Sequence, residues 1–330
     1  MQAGIFSGLE EKVKDFVQTF KISHPHQLNQ TQFNEMVVAL GYFDGVHKGH
    51  QAVIETAREQ AQEKELKWGV MTFHPHPSVV LRKQQVPEAI TPLDDKVDMI
   101  SSLGADYLFI IEFSEAFSAL EPQEFIDQYI IGLNVKHVVA GFDFSYGKLG
   151  KGTMESLPFH SRGQFEQTTV PKLKDFDRKI SSTLIREVIR NGNVEYASKL
   201  LGRAYSGKGT VIHGEKRGRT IGFPTANIEL NEGYITPPTG VYAVAVKIKD
   251  RMYKGVCNIG YKPTFHQEKA LKPSVEVHIF DFHHEIYGEN TEIYWYKRIR
   301  SEQKFNSIDE LISQIAKDKQ AAEEYFHEHS

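Results

Sequence analysis

The sequence predicts a chain of two parts, an α/β region with an open parallel sheet followed by an all-β region closed by a C-terminal helix. Three observations carry this. At 330 residues the chain has room for about two domains of ~150 residues each. Up to about residue 203, continuous apolar runs alternate with helical stretches, as strands buried on both faces do. Beyond it, short strands of alternating type follow one another between Gly, Pro and Asn clusters, with no helix between them, which reads as an antiparallel barrel or sandwich. The expected division is an extension over 1–20, an α/β domain over 21–203 and a β domain over 204–330.

In chain order, Ile5, Leu9, Val13, Phe16 and Phe20 recur at spacings of three and four and predict a short amphipathic helix. The run MVVAL (36–40), a helical stretch from about His50 to Glu65 and WGVMTF (68–73) form a strand, helix, strand unit. YLFII (107–111) and HVVA (137–140) flank a helix starting near Pro122, a residue suited to a first turn. The later strands are GTVIH, VYAVAVKI, YKGVCNI, SVEVHIF and TEIYWY. Ser307 and Glu310 form a capping box ahead of Ile308, Leu311, Ile312, Ile315, Ala322 and Phe326 at helical spacing, so a long amphipathic helix ends the chain.

Composition excludes several classes. Apolar residues make up 40% and charged residues 25%, ordinary for a folded globular chain. The formal charge of -4 gives no field to capture a polyanion, so no nucleic-acid partner is expected. The single cysteine, Cys257, rules out an internal disulfide and fits a reducing compartment, hence the cytoplasm. No apolar run approaches the ~20 residues of a membrane span, so no membrane partner is expected. The oligomeric state is left open.

The segment GYFDGVHKGHQ (41–51) begins directly after the first apolar run. Ligands of open parallel sheets bind at the carboxyl ends of strands, where a helix N-terminus offers free N–H groups. Gly41, Gly45 and Gly49 let the backbone turn and approach a phosphate, and His47 and His50 can donate to phosphate oxygens. Taken alone, the two histidines also suit a helix-capping pair, and with His74 and His76 they could be drawn as four zinc ligands. FHPHP (73–77), GFDFSYG (141–147) and ISSTLIR (180–186) follow later strands and can converge on the same crevice. In the last of these, Ser181, Ser182 and Thr183 suit a helix start, with Arg186 one turn on.

The second candidate is KGTVIHGEKRGRTIGFPTANIEL (208–230), whose glycine-rich basic turn is an anion cradle. Thr225 and Asn227 within it offer neutral oxygens suited to Mg²⁺. In SVEVHIF, Val275, Val277 and Ile279 share one face while Glu276 and His278 share the other, so Glu276 lies at the surface or in a site.

In this order, GYFDGVHKGH, TFHPHP, GFDFSYG and ISST..IR resemble the adenylyltransferase half of the bacterial bifunctional FAD synthetases, within the HxGH nucleotidyltransferases. HGEKRGRTIGFPTAN, PPTGVYAV, NIGYKPTF and VEVH resemble the riboflavin kinase module, a six-stranded barrel. The resemblance covers roughly 20–328 and implies a Rossmann-like nucleotidyltransferase domain ahead of the barrel. It implies two ATP-dependent steps with Mg²⁺: riboflavin to FMN in the barrel, and FMN to FAD plus pyrophosphate in the N-terminal domain.

By the same resemblance, His47, His50, Ser182 and Arg186 stabilise the adenylyl-transfer transition state, and Glu276 is the base for the riboflavin hydroxyl. ATP is expected at Gly41, Phe43, Asp44, Gly49, Ser181, Thr183, Lys208, Gly214 and Arg219. The flavin is expected at Pro75, His76, Asp143, Tyr146, Gly147, Phe223 and Tyr242, and Mg²⁺ at Thr225 and Asn227. One departure is Leu184, where many members carry a second basic residue. The competing reading is an adenylyltransferase whose barrel binds flavin but catalyses weakly.

Overall fold

The computed structural model describes residues 17–82, 88–214, 217–261 and 273–329. They fall into two compact units. One holds the described residues up to Tyr42, those of 52–83, and 93–171; the other holds 43–51, those of 84–92, and the described residues from 172 onward. The second unit therefore takes in the histidine motif, which the sequence division groups with the α/β domain.

The first unit is built on a six-stranded parallel sheet. Its strands are β1 (Gln18–Ile22), β2 (Met36–Leu40), β3 (Lys67–His74), β4 (Tyr107–Glu112), β5 (Val135–Gly141) and β6 (Glu166–Val170), in the order β1-β4-β3-β2-β5-β6. Every residue of β2 is buried, which explains its unbroken apolar run. Helix α1 (Lys48–Glu63) starts two residues earlier than expected and buries Val53, Ile54, Ala57 and Ala61. Helix α2 (Leu93–Ser101) buries Lys96 and Ile100. The helix at Pro122 begins as read, then widens into a π-helical segment, Ile126–Ile131, that buries Tyr129.

Two edge strands depart from the sequence reading. The expected helix over 1–20 ends instead in β1, where Phe20 stacks on Phe109 at 5.7 Å and pairing with β4 outweighs a three-four spacing. Ile5, Leu9, Val13 and Phe16 lie outside the described residues. Strand β6, EQTTV, is too polar to stand out as a strand, because it pairs on one side only.

The second unit contains a closed antiparallel barrel. Its strands are β7 (Tyr205–Ile212), β8 (Ala226–Leu230), β9 (Gly240–Ile248), β10 (Arg251–Gly260), β11 (Ser274–Ile279) and β12 (Asn290–Arg300), in the order β7-β8-β11-β10-β9-β12. Closure removes the edges that an open sheet would expose. Strand β8 sits in the stretch that reads as a loop and supplies the sixth strand. Its interior packs Tyr205, Tyr242, Cys257, Val277 and Trp295 together.

Strand β9 is buried on both faces because α5 (Ile308–Glu328) covers its outer side, with Val241 and Ala243 against Ala322 and Phe326. Arg300 on β12 donates to both carboxylate oxygens of the buried Asp318 on α5, at 2.7–3.1 Å. Two details of that helix are corrected. Ser307 accepts from Glu310 N–H as a cap, but the Glu310 carboxylate receives the N–H of Asn306, not that of Ser307, so the box is only half formed. Ile308 is exposed, since the first turn precedes the covered face.

Helices α3 (Ser182–Arg190) and α4 (Val194–Leu201) precede the barrel within the same unit. Leu184 is buried in its core in the same apolar cluster as Ile185.

Candidate active sites

The histidine motif is a strained loop held from several sides. Phe43 and Val46 have φ of 55° and 37°, and Gly45 has φ 87°. Left-handed backbone costs a non-glycine residue about 1–3 kcal/mol and persists only where the surroundings over-determine it. Here they do. The buried Asp44 carboxylate accepts the N–H groups of Ile90 and Thr91 at 3.3 and 3.0 Å and the Arg186 guanidinium at 2.5 Å. Ser182 Oγ donates to the Asp44 carbonyl at 2.9 Å, so the start of α3 is tied to the loop at two points.

Behind the loop, Gln51 Nε2 donates to the carbonyls of Val46 and Leu201, at 2.8 and 2.9 Å. Arg203 donates to the carbonyls of Gly45 and Val46 at 2.9 and 3.4 Å and to Thr91 Oγ1 at 3.3 Å. Burial brings the pKa of Arg203 down to about 10, an effect opposed by Glu292 and Asp44, so it stays charged at neutral pH.

His47 and His50 stack at 3.5 Å with 17° between their planes, and Phe43 meets His50 edge-on at 5.3 Å. His47 Nδ1 accepts the His50 N–H at 3.2 Å, which places the ring proton of a neutral imidazole on Nε2 as a donor. The capping and phosphate-donor readings are thus both compatible with one geometry. Gly49 packs closely on the His47 ring, where a Cβ would stand 3.1 Å from it. Ser181 caps α3 by accepting from Leu184 N–H at 3.2 Å, and Thr183 is exposed.

In the sheet unit, Gly41 N–H donates to the Met71 carbonyl at 3.2 Å. The buried Lys96 donates to Tyr42 O and Thr72 Oγ1, each at 3.0 Å, and lies over the Tyr42 ring at 4.5 Å. His76 meets Tyr42 edge-on at 4.4 Å, and its Nδ1 accepts the Ser78 N–H at 3.1 Å. Burial lowers the pKa of His74, and the nearby Lys96 adds to this. The His74–Pro75 peptide is cis, and Asp143 is exposed. Tyr146, expected at the flavin, is a core residue whose hydroxyl is bonded to His160 Nδ1 at 2.8 Å. Gly147 has φ 70°, and a Cβ would fall 2.7 Å from the Pro122 backbone, which accounts for this glycine without a ligand.

In the barrel, register assembles the second site. Asn227 on β8 and Asn258 on β10 flank Glu276 on the intervening strand β11. Asn227 is buried, and Gly214 lies against its amide so closely that a Cβ would fall 2.1 Å from Nδ2. Gly218 packs as tightly on the Phe223 carbonyl, with Thr225 Oγ1 at 3.5 Å from the same Cβ position. Phe223 meets His278 edge-on at 5.5 Å, and His278 Nδ1 lies 2.9 Å from the Pro224 carbonyl. Lys208 stands opposite Glu292 on β7 and β12, and Arg219 is exposed. Tyr242, expected at the flavin, is wholly buried in the barrel core with its hydroxyl donated to Pro238 O at 2.6 Å, and burial pushes its pKa up to about 12.

Among the described residues no group of three or more His, Cys, Asp or Glu stands where it could hold a metal ion, so the four-histidine zinc set does not assemble. Sequence reasoning missed Gln51, Lys96 and Arg203. Each acts on backbone carbonyls, a role that leaves no motif.

The parallel sheet, the loop tied to a helix N-terminus and the glycine-cradled barrel strands define a chain of two nucleotide-handling modules. An FAD synthetase profile matches residues 29–184 and a riboflavin kinase profile matches 201–326. Bifunctional riboflavin kinase/FMN adenylyltransferases resemble the chain along its length. The one from Bacillus subtilis (strain 168) is 57% identical over 94% of this chain and 98% of its own. That of Escherichia coli (strain K12) is 35% identical over 91% and 96%. A crystal structure described as a macrolide-efflux protein from Streptococcus pneumoniae superposes with a TM-score of 0.83 at 38% identity, covering 92% of this chain and 97% of that one. Among the described residues no helix is long and apolar enough to cross a membrane. The chain belongs to the bifunctional riboflavin kinase/FMN adenylyltransferase family.

Proposed function

We propose that the chain phosphorylates riboflavin to FMN in its barrel and adenylylates FMN to FAD at the histidine loop, with ATP as co-substrate of both steps. The observation that carries this reading is the arrangement of two separate sets of phosphate-directed groups in one chain. One is the stacked His47 and His50 on the loop tied to Arg186. The other is Glu276 between Asn227 and Asn258.

In the adenylyl step an FMN phosphate oxygen attacks the α-phosphorus of ATP, and the bond to the pyrophosphate oxygen breaks. The attacking oxygen is already anionic, so no covalent intermediate is needed and positioning with charge neutralisation suffices. His47 Nε2–H and His50 act as donors to the developing charge. Ser182 and Arg186 shape the loop through Asp44, and the guanidinium adds positive charge there. Gly41, Phe43, Gly49, Ser181 and Thr183 are assigned to ATP, with Asp44 as a positioning residue because its carboxylate serves the chain's own donors. Pro75, His76 and Asp143 are the proposed flavin contacts.

In the kinase step the riboflavin 5'-oxygen attacks the γ-phosphorus, ADP leaves, and Glu276 accepts the hydroxyl proton as the new P–O bond forms. Lys208, Gly214 and Arg219 are assigned to ATP and Phe223 to flavin. The buried Asn227 amide under Gly214 and the Thr225 hydroxyl are neutral oxygen donors that fit Mg²⁺. When bound, that ion neutralises phosphate charge. Cys257, a buried free thiol whose pKa burial raises, suits work in a reducing compartment, the cytoplasm.

The test is incubation of the purified protein with riboflavin, ATP and Mg²⁺, followed by chromatography. FMN should appear first and FAD after it. FMN without FAD, or neither, contradicts the two-activity reading.

A further inference from the structure

We infer that Arg203 is a positioning residue for adenylyl transfer, acting on the histidine loop from the chain segment that leads into the barrel. The inference rests on the proposed role of that loop. Arg203 lies between α4 and the first barrel strand, outside every motif. Its guanidinium nevertheless reaches the carbonyls of both Gly45 and Val46, two consecutive residues at positive φ.

The same group donates to Thr91 Oγ1, while the Thr91 N–H donates to Asp44. Residue 91 is therefore a shared node. On one side it fixes the carboxylate that holds Arg186, and on the other the cation that holds the loop carbonyls. His47 follows Val46 directly, so any rotation of the Val46 peptide re-aims the imidazole and the first turn of α1. Gln51 shares the Val46 carbonyl and pins the same turn to the end of α4.

A planar fork is needed for this task. One guanidinium satisfies two carbonyls and a hydroxyl in fixed directions, whereas an ammonium presents a compact charge on a flexible stem. Arg203 touches no proposed substrate position, and none of its bonds reaches Glu276, Asn227 or Thr225.

The test uses the full chain with Arg203→Ala, Arg203→Lys and, as a control, His50→Ala. Both activities are measured in the same preparations, with kcat and KM separated. For Arg203→Ala, kcat for FAD formation from FMN should fall about a hundredfold, the scale of a small misplacement of reacting groups. The Arg203→Lys variant should recover part of it, and riboflavin phosphorylation should be unchanged in both, which also reports that the barrel is folded. Equal loss of both activities, no loss of either, or a change confined to KM overturns the inference. If His50→Ala keeps FAD formation, the reading of the loop fails. If His50→Ala loses FAD formation while Arg203→Ala keeps it, only the role of Arg203 fails.

Discussion

The histidine loop and the barrel strands β8, β10 and β11 bring the side chains of the two proposed sites together by different physical means. In the loop, Phe43 and Val46 adopt a backbone that their own preferences oppose, and side chains from Ser182, Arg186, Gln51 and Arg203 hold the loop there. In the barrel, ladder register sets Glu276 between Asn227 and Asn258, and the approaches of Gly214 and Gly218 are closely fitted. A strapped site should therefore fail when any strap is cut, while a register site should tolerate distant changes and fail on contact.

Arg186→Met breaks the strap with the largest effect. It leaves Asp44 buried beside two amide donors without its cation, a change that typically costs about 3–5 kcal/mol. FAD formation should be lost and the melting temperature should fall, with riboflavin phosphorylation retained below the melt. An unchanged melting temperature would show that the Asp44–Arg186 pair carries no stability.

Gly214→Ala probes the register site on contact. The added methyl must displace the Asn227 amide, so riboflavin phosphorylation should fall about tenfold or more, the scale of a disturbed ligand residue, with FAD formation from FMN untouched. Normal kinase rates would remove Asn227 from the ATP and Mg²⁺ assignment.

The smallest effect is in pH. His26, His74 and His137, all in the sheet unit, have pKa values lowered chiefly by burial. On unfolding each returns toward the ordinary 6.5, so between that value and the lower folded one the unfolded chain binds more protons. Stability is then complete above pH 6.5 and is lost as pH falls toward the folded values. Melting temperatures at pH 7.5 and 5.5 should differ in that direction, and a higher value at pH 5.5 would contradict the assignment.

What the sequence disclosed follows the same division. The strands β2 to β5 and the barrel alternation of Val275, Val277 and Ile279 were legible because burial imposes a period on residue type. The motif loop was legible through its glycines and histidines. The edge strands β1 and β6 were not, since pairing on one side leaves their composition free. The hydroxyls of Tyr146 and Tyr242 are bonded to His160 Nδ1 and Pro238 O, partners that only the fold supplies. Arg203 was invisible for the opposite reason: it recognises carbonyl oxygens, which every residue has.

The most direct measurement is a reciprocal one, with His50→Ala and Glu276→Ala each assayed for both steps in one folded preparation. Loss of FAD formation alone in the first variant and of FMN formation alone in the second is the predicted outcome. If each variant stays folded yet loses both activities equally, a single shared centre does the chemistry and the account of two separately built sites is wrong.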